Sequence, residues 1–209
     1  MRIIYLHGFA SSPASRKAQV FQARFEAAGI PVLVPRLDGG NFFGLTISSQ
    51  FEILTQEAKG EPVTLVGSSM GGYLAALYAA RHAEVEKLVL LAPAFGFHER
   101  WPKMMGEEKF RTWKETGEME LYHYGDKAPR KLGWQLAEDA AMWEATPEFT
   151  QPALIFHGEN DMTVPVASSV AFAAAHANVK LQIFDAGHEL TEVMDEMWTQ
   201  TAAFLGIGK

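Results

Sequence analysis

A serine with a glycine two positions away on each side lies between an apolar run and a helical stretch. The residues Gly67-Ser68-Ser69-Met70-Gly71-Gly72 match the pattern G-x-S-x-G, with Ser69 at its centre. A sharp strand-to-helix turn strains the backbone of its central residue, and the residues two positions away must be small. Such a turn also places the hydroxyl at a helix N-terminus, whose dipole favours developing negative charge. The pattern therefore predicts a nucleophile at Ser69; the alternative is a glycine-rich turn whose serine only caps the helix.

A serine hydroxyl needs a base to accept its proton, and the chain offers seven histidines. They are His7, His82, His98, His123, His157, His176 and His188. Two of them lie at the predicted ends of helices, where a histidine interacts favourably with the helix dipole. His188 follows the last predicted strand, on a loop from which it can reach Ser69 across the carboxyl edge of a sheet. We therefore expect His188 to be the base.

The base in turn needs a carboxylate to orient it. The loop after the preceding strand offers Glu159 and Asp161, and Asp185 lies three residues before His188. Asp161 lies further from its strand, ahead of a Val164-Pro165 turn that can fix it beside the base. We expect Asp161 to be the acid. The alternative is that Asp161 is only a turn or helix-cap residue.

Two backbone N–H groups complete the candidate site. The first predicted strand ends in His7-Gly8-Phe9-Ala10, and Met70 directly follows the candidate nucleophile. The N–H groups of Phe9 and Met70 together could stabilise a developing negative charge on a carbonyl oxygen, which is the task of an oxyanion hole. Phe9 could also anchor the end of its strand, and the two roles are compatible.

Short, continuous apolar runs alternate along the chain with longer stretches of helical periodicity. Continuous runs of Val, Ile and Leu are typical of strands buried on both faces, as in a parallel sheet. They predict six strands, at Ile3–Leu6, Val32–Val34, Val63–Val66, Leu88–Leu91, Ala153–Phe156 and Leu181–Phe184. Helices are predicted over residues 13–28, 71–82, 166–176 and 189–205. This alternation predicts one α/β domain, residues 1–209, with a mostly parallel sheet.

The stretch between Ala94 and Gln151 breaks the alternation. It is rich in Trp, Tyr, Phe and Met, and a hairpin is predicted near Glu118–Leu136, turning at Gly125-Asp126. The stretch is too long for a simple connection, so it is either a cap inserted over the edge of the sheet or a buried, irregular crossover. We favour a cap, at about residues 95–150, because α/β proteins build binding sites in insertions after a strand's carboxyl end.

Composition excludes several classes of protein. None of the 209 residues is cysteine, which excludes disulfides, cysteine nucleophiles and thiolate metal sites. A net charge of −7 argues against nonspecific binding to nucleic acid or to an anionic membrane. No apolar run approaches the ~18 residues that span a bilayer, and no signal peptide is recognisable, so a cytoplasmic location is expected.

Motifs for cofactors and metals are also missing from the sequence. There is no G-x-x-x-x-G-K-[ST] phosphate loop and no strand-linked G-x-G-x-x-G. The run His188-Glu189-Leu190-Thr191-Glu192 begins like the zinc motif H-E-x-x-H but ends in glutamate. We therefore expect neither a cofactor nor a metal.

The constellation resembles the α/β-hydrolase superfamily, in which the triad follows the chain order Ser, Asp, His. The run Gly8-Phe9-Ala10-Ser11-Ser12-Pro13-Ala14-Ser15-Arg16-Lys17-Ala18 resembles the opening of the small YqiA-like esterases, and residues 66–73 resemble their nucleophile elbow. Pro93-Ala94, the loop at residues 158–165 and Gly187-His188 fit the superfamily as well. The resemblance covers most of the chain except about residues 97–147. With six strands against the usual eight, the chain would be a small member.

The resemblance implies a serine esterase that cleaves a small-molecule carboxylic ester through an acyl-enzyme intermediate. Ser69 would be the nucleophile, Asp161 the acid and His188 the base, with the N–H groups of Phe9 and Met70 as oxyanion donors. The same groups could instead cleave a thioester or a peptide, or the fold could serve as a non-catalytic binding module. The charged middle stretch offers no wide apolar surface for docking on lipid, so small or medium acyl chains are expected.

Overall fold

The computed structural model describes residues 1–208, which contain eight strands and eight α-helices. The strands are β1 (Ile3–Leu6), β2 (Val32–Leu33), β3 (Val63–Ser68), β4 (Val85–Leu91), β5 (Glu118–His123), β6 (Ala128–Gly133), β7 (Ala153–Gly158) and β8 (Val179–Phe184). Six of them form one sheet in the order β2-β1-β3-β4-β7-β8, and every neighbouring pair is parallel. Strands β5 and β6 form a separate antiparallel hairpin. The predicted six-strand parallel sheet is confirmed.

The helices cover both faces of the main sheet. They are α1 (Arg16–Ala27), α2 (Ile47–Ala58), α3 (Met70–Ala79), α4 (Phe97–Met105), α5 (Glu107–Thr116), α6 (Gln135–Ala140), α7 (Val166–Ala175) and α8 (Met194–Leu205). Within β1, Ile3 and Tyr5 pack in the layer under α1 and α8, whereas Ile4 and Leu6 pack under α2, α3 and α7. Strands β1, β3 and β7 are buried along their whole length, so they have no exposed side, which explains their continuous apolar runs. No helix among residues 1–208 is both long and apolar enough to cross a membrane.

Helix α2 was not predicted from the sequence. Thr46 caps its N-terminus, and Ser49 closes a reciprocal capping box, a role more often filled by glutamate or glutamine. Its buried positions include the polar Gln50, whose burial weakens the apolar periodicity that usually reveals a helix. The helix is therefore stabilised by packing that the sequence pattern only partly records.

The last helix begins later than expected. A helix was predicted over residues 189–205, but α8 begins at Met194 and follows a single 3₁₀ turn at Thr191–Val193. Leu190 adopts φ 54°, a left-handed conformation that interrupts any helix at that point. The residues before it form an irregular loop, and this loop carries His188.

The connection between β4 and β7, called here the β4–β7 segment (residues 92–152), contains α4, α5, the β5–β6 hairpin and α6. The predicted hairpin is present, with its turn at residues 124–127. The buried Trp113 packs edge-on against Trp101 and Trp134 and forms the segment's own aromatic core. The N–H of Tyr124 donates to the carbonyl oxygen of Ala10 at 2.7 Å, so the hairpin turn is attached to the loop that follows β1.

Candidate active site

Ser69 lies in a strained turn between β3 and α3. Its backbone has φ 54° and ψ −116°, a conformation that is costly for a residue with a side chain. Neighbouring elements hold it there, because its N–H donates to Leu91 at 2.8 Å and its carbonyl oxygen accepts from the N–H of Ala94 at 3.0 Å. The strain is thus maintained by the end of β4 and the residues after it, and it lifts the hydroxyl to the carboxyl edge of the sheet.

The glycines around Ser69 are required by close backbone contacts. A Cβ atom on Gly67 would collide with the carbonyl group of Gly71, and one on Gly71 would collide with the carbonyl oxygen of Leu6. A Cβ on Gly72 would press on Pro93 at 3.1 Å. The steric demand that the G-x-S-x-G pattern predicts is therefore present in the packing of this turn.

His188 lies between Ser69 and Asp161. Its Nε2 atom is 3.1 Å from Oγ of Ser69, and its Nδ1 atom is 2.7 Å from Oδ2 of Asp161. An ionised carboxylate only accepts hydrogen bonds, so Nδ1 carries the proton and Nε2 is free to accept the serine proton. The three side chains come from the loops after β3, β7 and β8, and the structure brings all three predicted residues together.

The carboxylate of Asp161 is buried and fully hydrogen-bonded. Its Oδ1 atom accepts from the N–H groups of Thr163 and Val164, each at 2.8 Å. Burial by itself would raise the pKa of this carboxyl, but hydrogen bonds from His157, His188 and the Val164 N–H outweigh burial and hold the pKa well below its ordinary value. Asp161 is therefore a stable anion beside the histidine.

The two competing carboxylates lie elsewhere. Glu159 is exposed, and its N–H donates to the carbonyl oxygen of Phe184 at 2.8 Å, so it is still paired with β8 where its strand ends. Asp185 is also exposed and accepts a hydrogen bond from the side chain of Asn160 at 2.8 Å. Among residues 1–208, Asp161 is the one carboxylate that bonds to His188.

A second histidine, His157, lies beside Asp161, and no role for it was predicted from the sequence. His157 is fully buried, with Nε2 2.9 Å from the carbonyl oxygen of Val164 and 3.3 Å from Oδ2 of Asp161. Because both of these atoms are acceptors, Nε2 must carry a proton, and Nδ1 accepts from the hydroxyl of Ser169 at 2.7 Å. The only signal in the sequence is a histidine at the end of a buried strand, four residues before Asp161.

The N–H groups of Phe9 and Met70 lie at the end of β1 and at the start of α3. Among residues 1–208, neither N–H donates to a protein acceptor, so both are free to bind an oxygen of a ligand. A Cβ built on Gly8 would lie 3.5 Å from Cβ of Ser69, which places the loop after β1 beside Ser69.

His7 sets the direction of the Phe9 N–H. Its Nε2 atom accepts from the N–H of Leu37 at 3.3 Å, so Nδ1 carries the proton and donates to the carbonyl oxygen of Gly8 at 3.0 Å. In a trans peptide the carbonyl and the next N–H point in opposite directions, so a Gly8 carbonyl held toward His7 turns the Phe9 N–H away from it. Burial lowers the pKa of His7, which favours the neutral ring that both hydrogen bonds need.

A cavity of about 1010 Å³ opens beside Ser69 and His188. Its walls are the loop after β1, the first turn of α1, the turn of the β5–β6 hairpin and the residues that follow His188. The ring of Phe9, which is also among the lining residues, packs against Phe42 and Trp101. Ser69 is therefore accessible to a ligand through this cavity.

No group of three histidine or acidic side chains within residues 1–208 is arranged to hold a metal ion. In the zinc-like run, His188 bonds to Ser69 and Asp161, and the carboxylate of Glu189 forms an ion pair with Lys17 at 3.1 Å. The side chains of His188 and Glu189 thus interact with other protein side chains.

Comparison with solved structures gives matches over nearly the whole chain. A putative hydrolase from Agrobacterium vitis S4 is 25% identical, with 97% of this chain and 87% of that chain covered at a TM-score of 0.81. Est1E from Butyrivibrio proteoclasticus, with ferulic acid bound, is 22% identical over 98% and 89% of the two chains, at a TM-score of 0.76. A monoacylglycerol lipase from Paleococcus ferrophilus is 18% identical over 99% and 94%, at a TM-score of 0.79. The α/β-hydrolase fold is thereby confirmed.

Sequence comparison identifies the family. No curated protein sequence matches the chain significantly. The profile of one family, described as uncharacterised protein family UPF0227, matches residues 2–205. The match includes the strained turn at Ser69, the Asp161 loop and the His188 loop. The chain belongs to the UPF0227 family and has the α/β-hydrolase fold.

Proposed function

We propose that the protein is a serine hydrolase that cleaves carboxylic esters through an acyl-enzyme intermediate. The observation that carries this proposal is the continuous hydrogen-bond chain from Ser69 through His188 to Asp161, beside two free backbone N–H groups. A nucleophile, a base, an orienting acid and oxyanion donors are the parts that acyl transfer requires. A module that only binds ligands has no need of all four, so their joint presence favours an enzyme.

In the first half of the reaction, Nε2 of His188 accepts the proton of Ser69 as Oγ attacks the ester carbonyl carbon. The carbonyl oxygen becomes an oxyanion, which the N–H groups of Phe9 and Met70 stabilise by hydrogen bonds. Asp161 stays ionised and stabilises the imidazolium, as expected from its lowered pKa. His188 then gives its proton to the leaving alcohol, the ester C–O bond breaks, and an acyl group remains on Ser69.

In the second half, a water molecule takes the place of the alcohol. His188 accepts a proton from this water, the resulting hydroxide equivalent attacks the acyl carbon, and the same N–H groups stabilise the second oxyanion. When this intermediate collapses, Ser69 regains its proton from His188 and the carboxylic acid leaves.

The name of one structural relative favours an ester as the substrate. The Paleococcus ferrophilus protein is named as a monoacylglycerol lipase, whereas the Agrobacterium vitis protein is named only as a putative hydrolase. A thioester or a peptide could be cleaved by the same groups, since the triad does not select the leaving group. We further propose that the β4–β7 segment acts as a cap, because its hairpin turn forms one wall of the cavity beside Ser69.

The decisive experiment is labelling with a fluorophosphonate, followed by intact mass measurement and peptide mapping. We expect one adduct per chain, on Ser69, and loss of both the adduct and ester turnover in Ser69→Ala. The matched control is Ser68→Ala, because Ser68 is the neighbouring serine but has no glycine two positions away on either side. An adduct on Ser68 would contradict the proposal. The proposal would also be wrong if the wild-type protein formed no adduct and Ser69→Ala kept its ester turnover.

A further inference from the structure

The cavity beside Ser69 carries an excess of positive charge. Apart from His188, its charged lining residues are Arg16, Lys17, Lys127 and Glu189, three cations and one carboxylate. The ammonium group of Lys17 is paired with Glu189 at 3.1 Å. Within residues 1–208, neither Arg16 nor Lys127 forms an ion pair, so two uncompensated cations face the cavity. This is the reverse of the whole chain, whose net charge is −7.

Local structure does not account for either cation. Arg16 is the first residue of α1, where the helix dipole favours an acidic side chain, and the first turn of α1 contains none. Lys127 lies in the hairpin turn with φ 53°, a conformation that favours glycine or asparagine. Both cations thus occupy positions where the local backbone prefers a different residue type.

Hydroxyl groups line the same cavity. Ser11, Ser12 and Ser15 belong to the loop after β1 and the residue before α1, whereas Thr163 and Thr191 follow Asp161 and His188 along the chain. Hydroxyls and cations together form a surface that solvates a carboxylate or a phosphate far better than an alkyl chain. An apolar substrate portion in this cavity would have to desolvate these groups without replacing their hydrogen bonds.

We propose that the substrate is an ester that carries an anionic group, a carboxylate or a phosphate, on the part that occupies this cavity. Arg16 and Lys127 bind that group while the ester carbonyl lies at Ser69. This inference rests on the proposed ester hydrolysis and adds the charge class of the substrate. In an acidic protein, a positive cavity also steers anions to the one place where they can react.

The test compares two pairs of esters that differ in one negative charge. In the first pair the charge is on the acyl part: 4-nitrophenyl hydrogen adipate against its methyl ester. In the second it is on the alcohol part: the butyrate ester of 4-hydroxyphenylacetic acid against that of its methyl ester. For each pair, the ratio of kcat/KM for the anionic ester to kcat/KM for the neutral ester is measured at low ionic strength. Using a ratio cancels any general effect of a substitution on the triad.

The variant is Arg16→Gln/Lys127→Gln, and the matched control is Lys103→Gln/Lys109→Gln. The control removes two exposed lysines of the β4–β7 segment that do not line the cavity, so it changes net charge equally. We expect the ratio to fall about fivefold in the first variant, for one pair at least, as for charge contacts of two exposed side chains. It should stay within twofold of wild type in the control.

A fall of threefold or more in either pair, absent from the control, supports the proposal, and a smaller change in both pairs overturns it. Failure of the underlying function looks different. If no ester of either pair is hydrolysed and the fluorophosphonate does not label Ser69, ester hydrolysis itself is wrong, and this inference falls with it. If Ser69-dependent turnover is present but the ratios do not respond, only the anionic substrate is wrong.

Discussion

Nε2 of His157 lies 3.3 Å from Oδ2 of Asp161, the same oxygen that bonds to His188 at 2.7 Å. One carboxylate oxygen therefore interacts with two histidines, of which one contacts Ser69 and the other is fully buried. With the two backbone N–H groups on its other oxygen, Asp161 has four donors around it. A carboxylate held in this way keeps its charge and its orientation, which are the two properties that an orienting acid needs.

Replacement of this acid by its amide tests the assignment directly. We expect Asp161→Asn to lower kcat at least a hundredfold, because an amide can present an N–H to His188 and favour the wrong tautomer; losses of ~10⁴ are known for such changes. The measurement is steady-state hydrolysis of a 4-nitrophenyl ester by folded variants with comparable thermal midpoints. Glu159→Gln and Asp185→Asn are the controls and should stay within about tenfold of wild type. Near-normal activity in Asp161→Asn, together with a collapse of activity in either control, would show that Asp161 is not the orienting acid.

The lowered pKa of Asp161 also predicts how stability depends on pH. Because the folded pKa lies below the unfolded value of about 3.9, the unfolded chain binds the proton more readily. The stabilisation is complete above the unfolded pKa and is lost as the pH falls from there toward the folded pKa. We expect the free energy of unfolding, measured by urea titration at pH 5.5 and pH 3.5, to fall less in Asp161→Asn than in wild type. Asp185→Asn serves as control; equal pH dependence in all three proteins would exclude a depressed pKa at Asp161.

His7 is expected to act on catalysis through the peptide that follows it. In His7→Leu the Gly8 carbonyl loses its donor and the Phe9 N–H its fixed direction, so kcat should fall at least tenfold, toward the ~10²–10³ lost with one oxyanion donor. KM should change little, because the N–H acts mainly on the transition state. His7→Asn offers a donor to the same carbonyl and should recover part of kcat. A loss confined to KM, or no recovery in His7→Asn at equal thermal stability, would argue against this role.

Acyl-chain length is a further test of the site. We expect the highest kcat/KM for small or medium acyl chains in a series of 4-nitrophenyl esters from two to sixteen carbons. The physical reason is the cations and hydroxyl groups that line part of the cavity beside Ser69, together with a β4–β7 segment whose α5 surface is charged rather than apolar. The prediction would be wrong if kcat/KM were highest for the longest acyl chains and if this activity appeared only above the concentration at which the ester aggregates.

The sheet could be predicted because burial on both faces leaves a plain record in the sequence. The runs at Ile3–Leu6 and Ala153–Phe156 contain no polar residue and correspond to β1 and to most of β7. Helix α2 leaves a weaker record, since it buries Gln50 and has a serine in its capping box. The start of α8 was misplaced because the left-handed Leu190, which ends the loop, has a side chain that gives no hint of that conformation.

The residues of the candidate site also differ in whether the sequence predicts them. Ser69 is marked by glycines at fixed spacing, and His188 and Asp161 by their place after successive strands, so local sequence was sufficient to nominate them. The contributions of His7 and His157 depend on which ring nitrogen carries a proton, and hydrogen-bond partners far along the chain, such as Leu37 and Ser169, decide this. No spacing rule contains that information. The charge of the cavity likewise emerges only when α1 and the hairpin turn are brought to the same opening.

The hydrogen bond from Tyr124 to Ala10 joins the hairpin turn to the loop that supplies the Phe9 N–H. Gly125 fits tightly beside Ser12 at the same junction. A designer who exchanged this turn to admit a new ligand would therefore also disturb the oxyanion donor. Under the proposed function, selectivity and turnover are mechanically linked, and libraries that vary residues 124–127 would have to vary residues 10–12 with them.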